Sequence, residues 1–206
     1  MTYSLPSFAL YTDSGLTTLA STTLQIVNRS DLSDNPQDFT YYFGAPNLVV
    51  AQVLQTSVAP GTNNIILTPT YILPTWIAST AYALGDSIIP TTPNGYRYVV
   101  TTAGTSNGTE PSWGVTLNGT TSDGTVVWTL IAEDRPTTEI ILALSEADLD
   151  TNTPGAALSL GTTINSGVSN AVEIWIRDTN TITTVSTNYG TPELGILINA
   201  VQQTSA

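Results

Sequence analysis

The chain has 206 residues, enough for one medium domain or two small ones with a real hydrophobic core. Hydrophobic residues make up 41% of it and charged residues only 10%, well below the roughly 25% of an ordinary soluble domain. The formal net charge of −12 repels phosphate backbones and anionic lipid, which argues against nucleic-acid and membrane-surface partners. Threonine and other β-forming residues dominate and no long stretch repeats with a helical period, so the expected fold is all-β.

Residues 1–6 are expected to form an extended arm, and residues 1–20 carry neither the basic nor the apolar region of a signal peptide. No run is apolar enough to span a bilayer. Synthesis in a cytosol is the expectation. Strands are predicted at Phe8–Tyr11 and Leu24–Asn28, with a turn over Thr12–Gly15. The polar run 30–38 reads as a loop; its aspartates lack the spacing, turn glycine and closing glutamate of an EF-hand. Further strands are predicted over 39–44, 49–54 and 65–69.

Residues 76–128 carry a different pattern. Trp76, Tyr82 and Gly85-Asp86 come first, then Asn94-Gly95-Tyr96-Arg97-Tyr98 and Gly104-Thr105-Ser106. Glu110-Pro111-Ser112-Trp113 and Asp123-Gly124-Thr125-Val126-Val127-Trp128 follow. Asn-Gly and Asp-Gly are strong hairpin signals, and each precedes a run of β-branched or aromatic residues. The stretch therefore predicts a compact antiparallel unit. Prolines 69 and 74 before it, and Glu133-Asp134-Arg135-Pro136 after it, mark the boundaries of an insertion.

Beyond it, strands are predicted over 138–144, 157–161, 171–177 and 194–201. In the third, Val172, Ile174 and Ile176 share one face while Glu173, Trp175 and Arg177 share the other. A tryptophan on a polar face points to an edge covered by another domain or subunit. Neither flank holds enough strands for a core by itself. We therefore expect residues 1–72 and 136–206 to combine into one discontinuous antiparallel β-sandwich, Ig-like or jelly-roll-like, with residues 74–132 as a small inserted β-domain.

The ordered run of Trp76, Tyr82, Gly85, Asp86, Tyr96, Tyr98 and Trp128 covers about a quarter of the chain. It resembles the small chitin- and cellulose-binding modules of bacterial glycosidases. It is still more similar to a version of that module found in tailed-phage virion proteins. The flanks, through Tyr11-Thr-Asp-Ser-Gly and Leu160-Gly-Thr-Thr-Ile with Asn170-Ala-Val-Glu-Ile-Trp-Ile, look similar to phage virion proteins more loosely. The resemblance implies that Trp76, Tyr82, Gly85, Asp86 and Trp128 frame the module. Trp113, with Tyr96 or Tyr98, is the candidate platform for stacking on a sugar ring, with core packing as the competing role.

Enzyme chemistry has little to work with. No histidine or cysteine is present, which excludes a Ser–His–Asp or Cys–His site and the usual transition-metal ligand sets. The four basic residues are Arg29, Arg97, Arg135 and Arg177, so there is no lysine for a Schiff base or a P-loop. A carboxylate pair could be drawn from Asp86, Glu110 and Asp123. Each also has a structural duty to fill: Asp86 in a turn, Glu110 at a loop and Asp123 at a hairpin tip. The structural duty is the reading taken, with no cofactor and no metal.

The expected function is that of a non-enzymatic phage virion protein, a capsid decoration or cement protein on the virion exterior with the module projecting. The alternative is a tail- or fibre-associated adhesin that binds host-surface polysaccharide. Expected partners are a major capsid or tail protein and further copies of this chain, with a trimer as one option. With so few basic side chains, contacts should rest on apolar burial and strand edges and should tolerate salt. The arm residues Tyr3, Leu5 and Phe8 and the strand bearing Trp175 are the candidate assembly contacts, with sandwich core as the alternative place for Phe8 and Trp175.

Overall fold

A computed structural model describes residues 8–21, 35–46, 51–181, 194–199 and 201–205. Tyr3, Leu5 and the strand predicted over 24–28 lie outside the described residues, as does most of the loop at 30–38. Within the described residues the regular structure is strand, apart from three short 3-10 turns, so the fold is all-β. No helix among them is long and apolar enough to cross a membrane. The described residues fall into two compact units. One is drawn from Met1–Thr70, Thr137–Thr181 and Ile196–Ala206, the other from Tyr71–Pro136 and Ile182–Gly195.

The larger unit is sandwich-like and is built from both flanks. Its four-stranded sheet runs Ala9–Tyr11, Gln37–Gly44, Val172–Asp178, Ile140–Ala143. Gln37–Gly44 pairs antiparallel with Val172–Asp178 over seven residues, from Asp178 opposite Gln37 to Val172 opposite Phe43. A second sheet sets Gln52–Thr56 between Ile164–Asn165 and Val201–Ser205, and a third sets Ile66–Tyr71 between Leu158–Ser159 and Leu194–Ile198. Every one of these sheets joins residues that precede the insertion to residues that follow it. Alternation puts Ile174 and Ile176 inward from their strand, and Leu54 and Leu67 from theirs.

Arg177 ties this sheet together across its register partner Asp38. Its Nε and Nη2 donate to the two Asp38 oxygens at 2.7 and 2.8 Å, and Nη1 donates to Asp150 Oδ1 at 2.6 Å. The forked geometry matches guanidinium to carboxylate. These bonds, the Asp38 one foremost, hold the guanidinium protonated beyond its ordinary range.

Two expectations need correction here. The Trp175 strand is not an edge: it is bonded to Gln37–Gly44 on one side and Ile140–Ala143 on the other. Trp175 is half-buried, with Thr40 and Ala143 as its register partners. The edges of this sheet are Ala9–Tyr11 and Ile140–Ala143, and the latter is capped. Asn152 Nδ2 donates to Leu142 O and the Gly155 N–H to Ile140 O, both at 2.8 Å, which blunts its use as a pairing template. Second, the single strand expected over 194–201 is two strands in different sheets, Leu194–Ile198 and Val201–Ser205. Asn199 lies between them, its Oδ1 accepting the Ile66 N–H at 3.0 Å and its Nδ2 donating to Asn64 O at 3.0 Å. Phe8 is half-buried, its ring 6.3 Å from that of Phe43.

Because its strands pair across the two flanks, the larger unit should fold without the inserted stretch. Replacing residues 72–135 by a short Gly/Ser linker should leave a cooperative thermal transition and a β-type circular dichroism spectrum. An unfolded or aggregated product would show that the sheets need the insertion.

In the smaller unit, Ser87–Ile88, Tyr96–Thr102, Val126–Glu133 and Thr120–Asp123 form one antiparallel sheet in that order, and Ala81–Tyr82 pairs with Gly104–Thr105. Trp76, Ile88, Tyr98, Val100, Val126, Trp128 and Leu130 make its core. The chain enters at Pro74–Trp76, where Trp76 N–H donates to Ile89 O at 2.9 Å and Ile89 N–H to Pro74 O at 3.0 Å. It leaves where the Asp134 N–H bonds Gly95 O at 2.9 Å.

Candidate functional site

The centre of the smaller unit is a buried carboxylate. Asp123 is 0% exposed. Its Oδ2 accepts the indole N–H of Trp76 at 2.7 Å and of Trp128 at 3.2 Å, and its Oδ1 accepts the Asn107 backbone N–H at 2.8 Å. Three N–H donors thus stand where water would solvate the charge, the condition under which a buried carboxylate is tolerable.

The hairpin register explains why Asp123 faces inward. Asp123 pairs with Val126, so the loop is Gly124-Thr125 and not Asp123-Gly124. Only Gly124 has a positive φ, 62°, the pattern of a type II′ turn. Asp123 is therefore the last strand residue and alternates inward with Thr121, where a tip would have left it in solvent. The expected hairpin-tip role is replaced by a core role.

The other framing residues have local duties. Tyr82 sets its ring edge-on to Trp128 at 4.7 Å, and its hydroxyl accepts the Ile77 N–H at 2.8 Å. Asp86 Oδ2 accepts the Ala83 N–H at 2.7 Å, closing a turn in which Gly85 has φ of 91°. Ser106, which sequence reasoning passed over beyond its place in the Gly-Thr-Ser run, is buried. Its hydroxyl donates to Ile77 O at 2.8 Å and accepts the Thr80 N–H at 3.0 Å. Arg97 is also buried in this unit, at 4% exposure.

The three residues expected in a sugar platform separate. Tyr98 is 0% exposed, its hydroxyl donating to Gly114 O and accepting from Asn94 Nδ2, each at 2.9 Å. It cannot offer a ring face to solvent, and its place in the platform is withdrawn: strand alternation turns Tyr98 inward with Val100. Tyr96 and Trp113 stay half-buried at the margin of the same core. The Trp113 ring lies 4.5 Å from that of Tyr98 and 5.8 Å from that of Trp128.

Trp113 is held by Glu110. Glu110 Oε1 accepts the Trp113 indole N–H and the Thr91 backbone N–H, both at 2.9 Å, while Oε2 accepts the Thr91 hydroxyl. Partial burial by itself would raise the Glu110 carboxyl, but the bonds from Thr91 and Trp113 outweigh it and hold the group below its ordinary 4.5. That direction suits a permanent acceptor and opposes a general acid, which needs a raised value. Asp86 and Asp123 are likewise committed to bonds within the unit. No group of three or more potential metal-ligating side chains occurs among the described residues.

No family model, curated protein or solved structure matches this chain.

The Thr91–Glu110–Trp113 clip has a testable pH dependence. A carboxyl whose folded value is depressed adds stability that is present above its ordinary value and is lost as pH falls through the folded value. Tryptophan emission should therefore shift in acid, below 4.5, as Trp113 is released. In Glu110→Gln that step should vanish. An unchanged acid titration in the variant would remove Glu110 from the account.

Proposed function

We propose that this protein is a non-enzymatic structural component of a tailed-phage virion, a capsid decoration protein on the outer surface. The observation that carries the reading is the two-unit architecture. A sandwich-like unit assembled from both flanks is interrupted by a small β unit closed on its own Trp76–Trp128–Asp123 core. That inserted unit bears the residue pattern similar to the module of virion proteins, and the low charged fraction fits a surface largely covered in an assembly. The commitment of Asp86, Glu110 and Asp123 to internal bonds supports the non-enzymatic part. The partners are a major capsid protein and further copies of this chain. Cryo-electron microscopy of the phage particle tests it: the chain should account for density on the capsid lattice, and density confined to the tail would overturn the decoration role.

The partial exposure of Trp113 and Tyr96 favours a second reading, a tail- or fibre-associated adhesin for host-surface polysaccharide. Aromatic rings at the margin of a small β unit are suited to stack on pyranose faces. The full chain incubated with insoluble chitin or cellulose should then be retained and be released by soluble oligosaccharide. Recovery of all the protein in the unbound fraction would leave the module as a scaffold.

A further inference from the structure

The inserted stretch holds three Asn-Gly pairs: Asn94-Gly95, Asn107-Gly108 and Asn118-Gly119. Glycine carries no Cβ, so in each pair its backbone nitrogen is unshielded and can reach the side-chain carbonyl carbon of the asparagine before it. The fold treats the three pairs differently.

At Asn94 the electrophile is tied at both ends. Nδ2 donates to the Tyr98 hydroxyl at 2.9 Å and Oδ1 accepts the Tyr96 N–H at 3.1 Å. At Asn118 the nucleophile is occupied, because the Gly119 N–H donates to Thr116 O at 2.8 Å in a tight turn with Asn118 at φ of 62°. At Asn107 neither holds. Asn107 and Gly108 are both exposed. Among the described residues the Asn107 side-chain amide makes no hydrogen bond and the Gly108 N–H donates to no acceptor. A Cβ at Gly108 would find its nearest neighbour, Ser79 Oγ, at 3.8 Å, so the space around Gly108 is open.

The Asn107 main chain, by contrast, is anchored on both sides. Its N–H binds the buried Asp123 carboxylate at 2.8 Å, and its carbonyl accepts the Ser79 N–H at 3.0 Å.

We propose that Asn107 is the site at which the folded protein deamidates spontaneously, and that the reaction loosens the support of Asp123. The Gly108 nitrogen attacks Asn107 Cγ, a C–N bond forms, and ammonia leaves carrying the proton displaced from Gly108. Water then opens the cyclic imide at either carbonyl, giving aspartate or the β-linked isoaspartate at position 107. One water is consumed and one ammonia released, with no change of oxidation state. In the isoaspartate the main chain reaches Gly108 through Cβ and the former side-chain carbonyl, one methylene longer, and the carbonyl that accepted the Ser79 N–H becomes a free carboxylate off the main chain. The lengthened link to Gly108 and the new carboxylate disturb the loop that presents the Asn107 N–H to Asp123. Either product also adds a negative charge to a chain already at −12.

The test uses the full-length protein, incubated folded at mildly alkaline pH in heavy-oxygen water and mapped by peptide mass spectrometry over time. Label and isoaspartate should build up in the Asn107 peptide several-fold faster than in those of Asn94 and Asn118. In denaturant the three should converge, since each is followed by glycine. Aged protein should show an earlier tryptophan-monitored unfolding transition, and aged Asn107→Gln should not. The proposal is overturned if folded Asn94 or Asn118 reacts as fast as Asn107, or if no site reacts when folded while all react when unfolded.

Discussion

Asp123→Ala should unfold the Tyr71–Pro136 unit, or bring it close to unfolding, while the larger unit keeps its own transition. The substitution strands the indole N–H groups of Trp76 and Trp128 in an interior from which water is excluded, and removes the acceptor of the more accessible Asn107 backbone N–H. Each orphaned buried donor costs about 1–3 kcal/mol, so the two indoles alone give a loss on the order of 2–6 kcal/mol. The whole stability of a small domain is about 5–15 kcal/mol, which makes this loss decisive. Three of the four tryptophans lie in this unit, so fluorescence reports it almost selectively. Asp123→Asn keeps one acceptor oxygen but turns an N–H group toward donors, and should fall between wild type and Asp123→Ala. A change in Asp123→Ala below about 0.5 kcal/mol, the range of an ordinary surface substitution, would mean that the carboxylate is not the hub described here.

The second large effect concerns two glycines where backbones meet. A Cβ at Gly104 would lie 2.4 Å from the carbonyl carbon and oxygen of Thr125, and one at Gly124 would lie 2.3 Å from Thr105 O. The two contacts face each other across the same junction, where the Thr125 N–H donates to Thr105 O at 3.0 Å and the Thr105 N–H to Thr125 Oγ1 at 2.8 Å. Backbone cannot swing aside as a flexible side chain would. Gly104→Ala should therefore cost about 1–3 kcal/mol by overpacking alone. Gly124→Ala carries a further penalty of roughly 1–2 kcal/mol from its left-handed φ, so it should be the worse of the two. Chemical denaturation of both variants, followed by tryptophan fluorescence, checks the order. Equal stabilities, or a more damaging Gly104→Ala, would contradict the assigned type II′ turn.

Much of the architecture was legible in the sequence, for identifiable reasons. Alternation in residues 172–176 put Ile174 and Ile176 on one face, and both are buried, because a strand's period of two leaves no other arrangement. The bounds of the insertion, drawn at 74–132, fall inside the stretch Tyr71–Pro136, but Leu194 and Gly195, read as part of the sandwich, belong to the same compact unit. The framing pattern likewise marked Trp76 and Trp128 as core.

Only the tertiary structure decided the rest. Whether the Trp175 strand is an edge depends on which strands dock beside it, and its partners lie more than a hundred residues away at Gln37–Gly44 and some thirty away at Ile140–Ala143. Tyr96 and Tyr98 look alike in sequence, but sheet pairing buries one completely and leaves the other at the margin. Asp123 shows the limit most sharply. An Asp-Gly pair signals a hairpin, but a shift of one residue in where the loop begins turns the carboxylate from solvent to core. That register is set by Trp76, Trp128 and Asn107, whose N–H groups are brought together only when the sheet has closed.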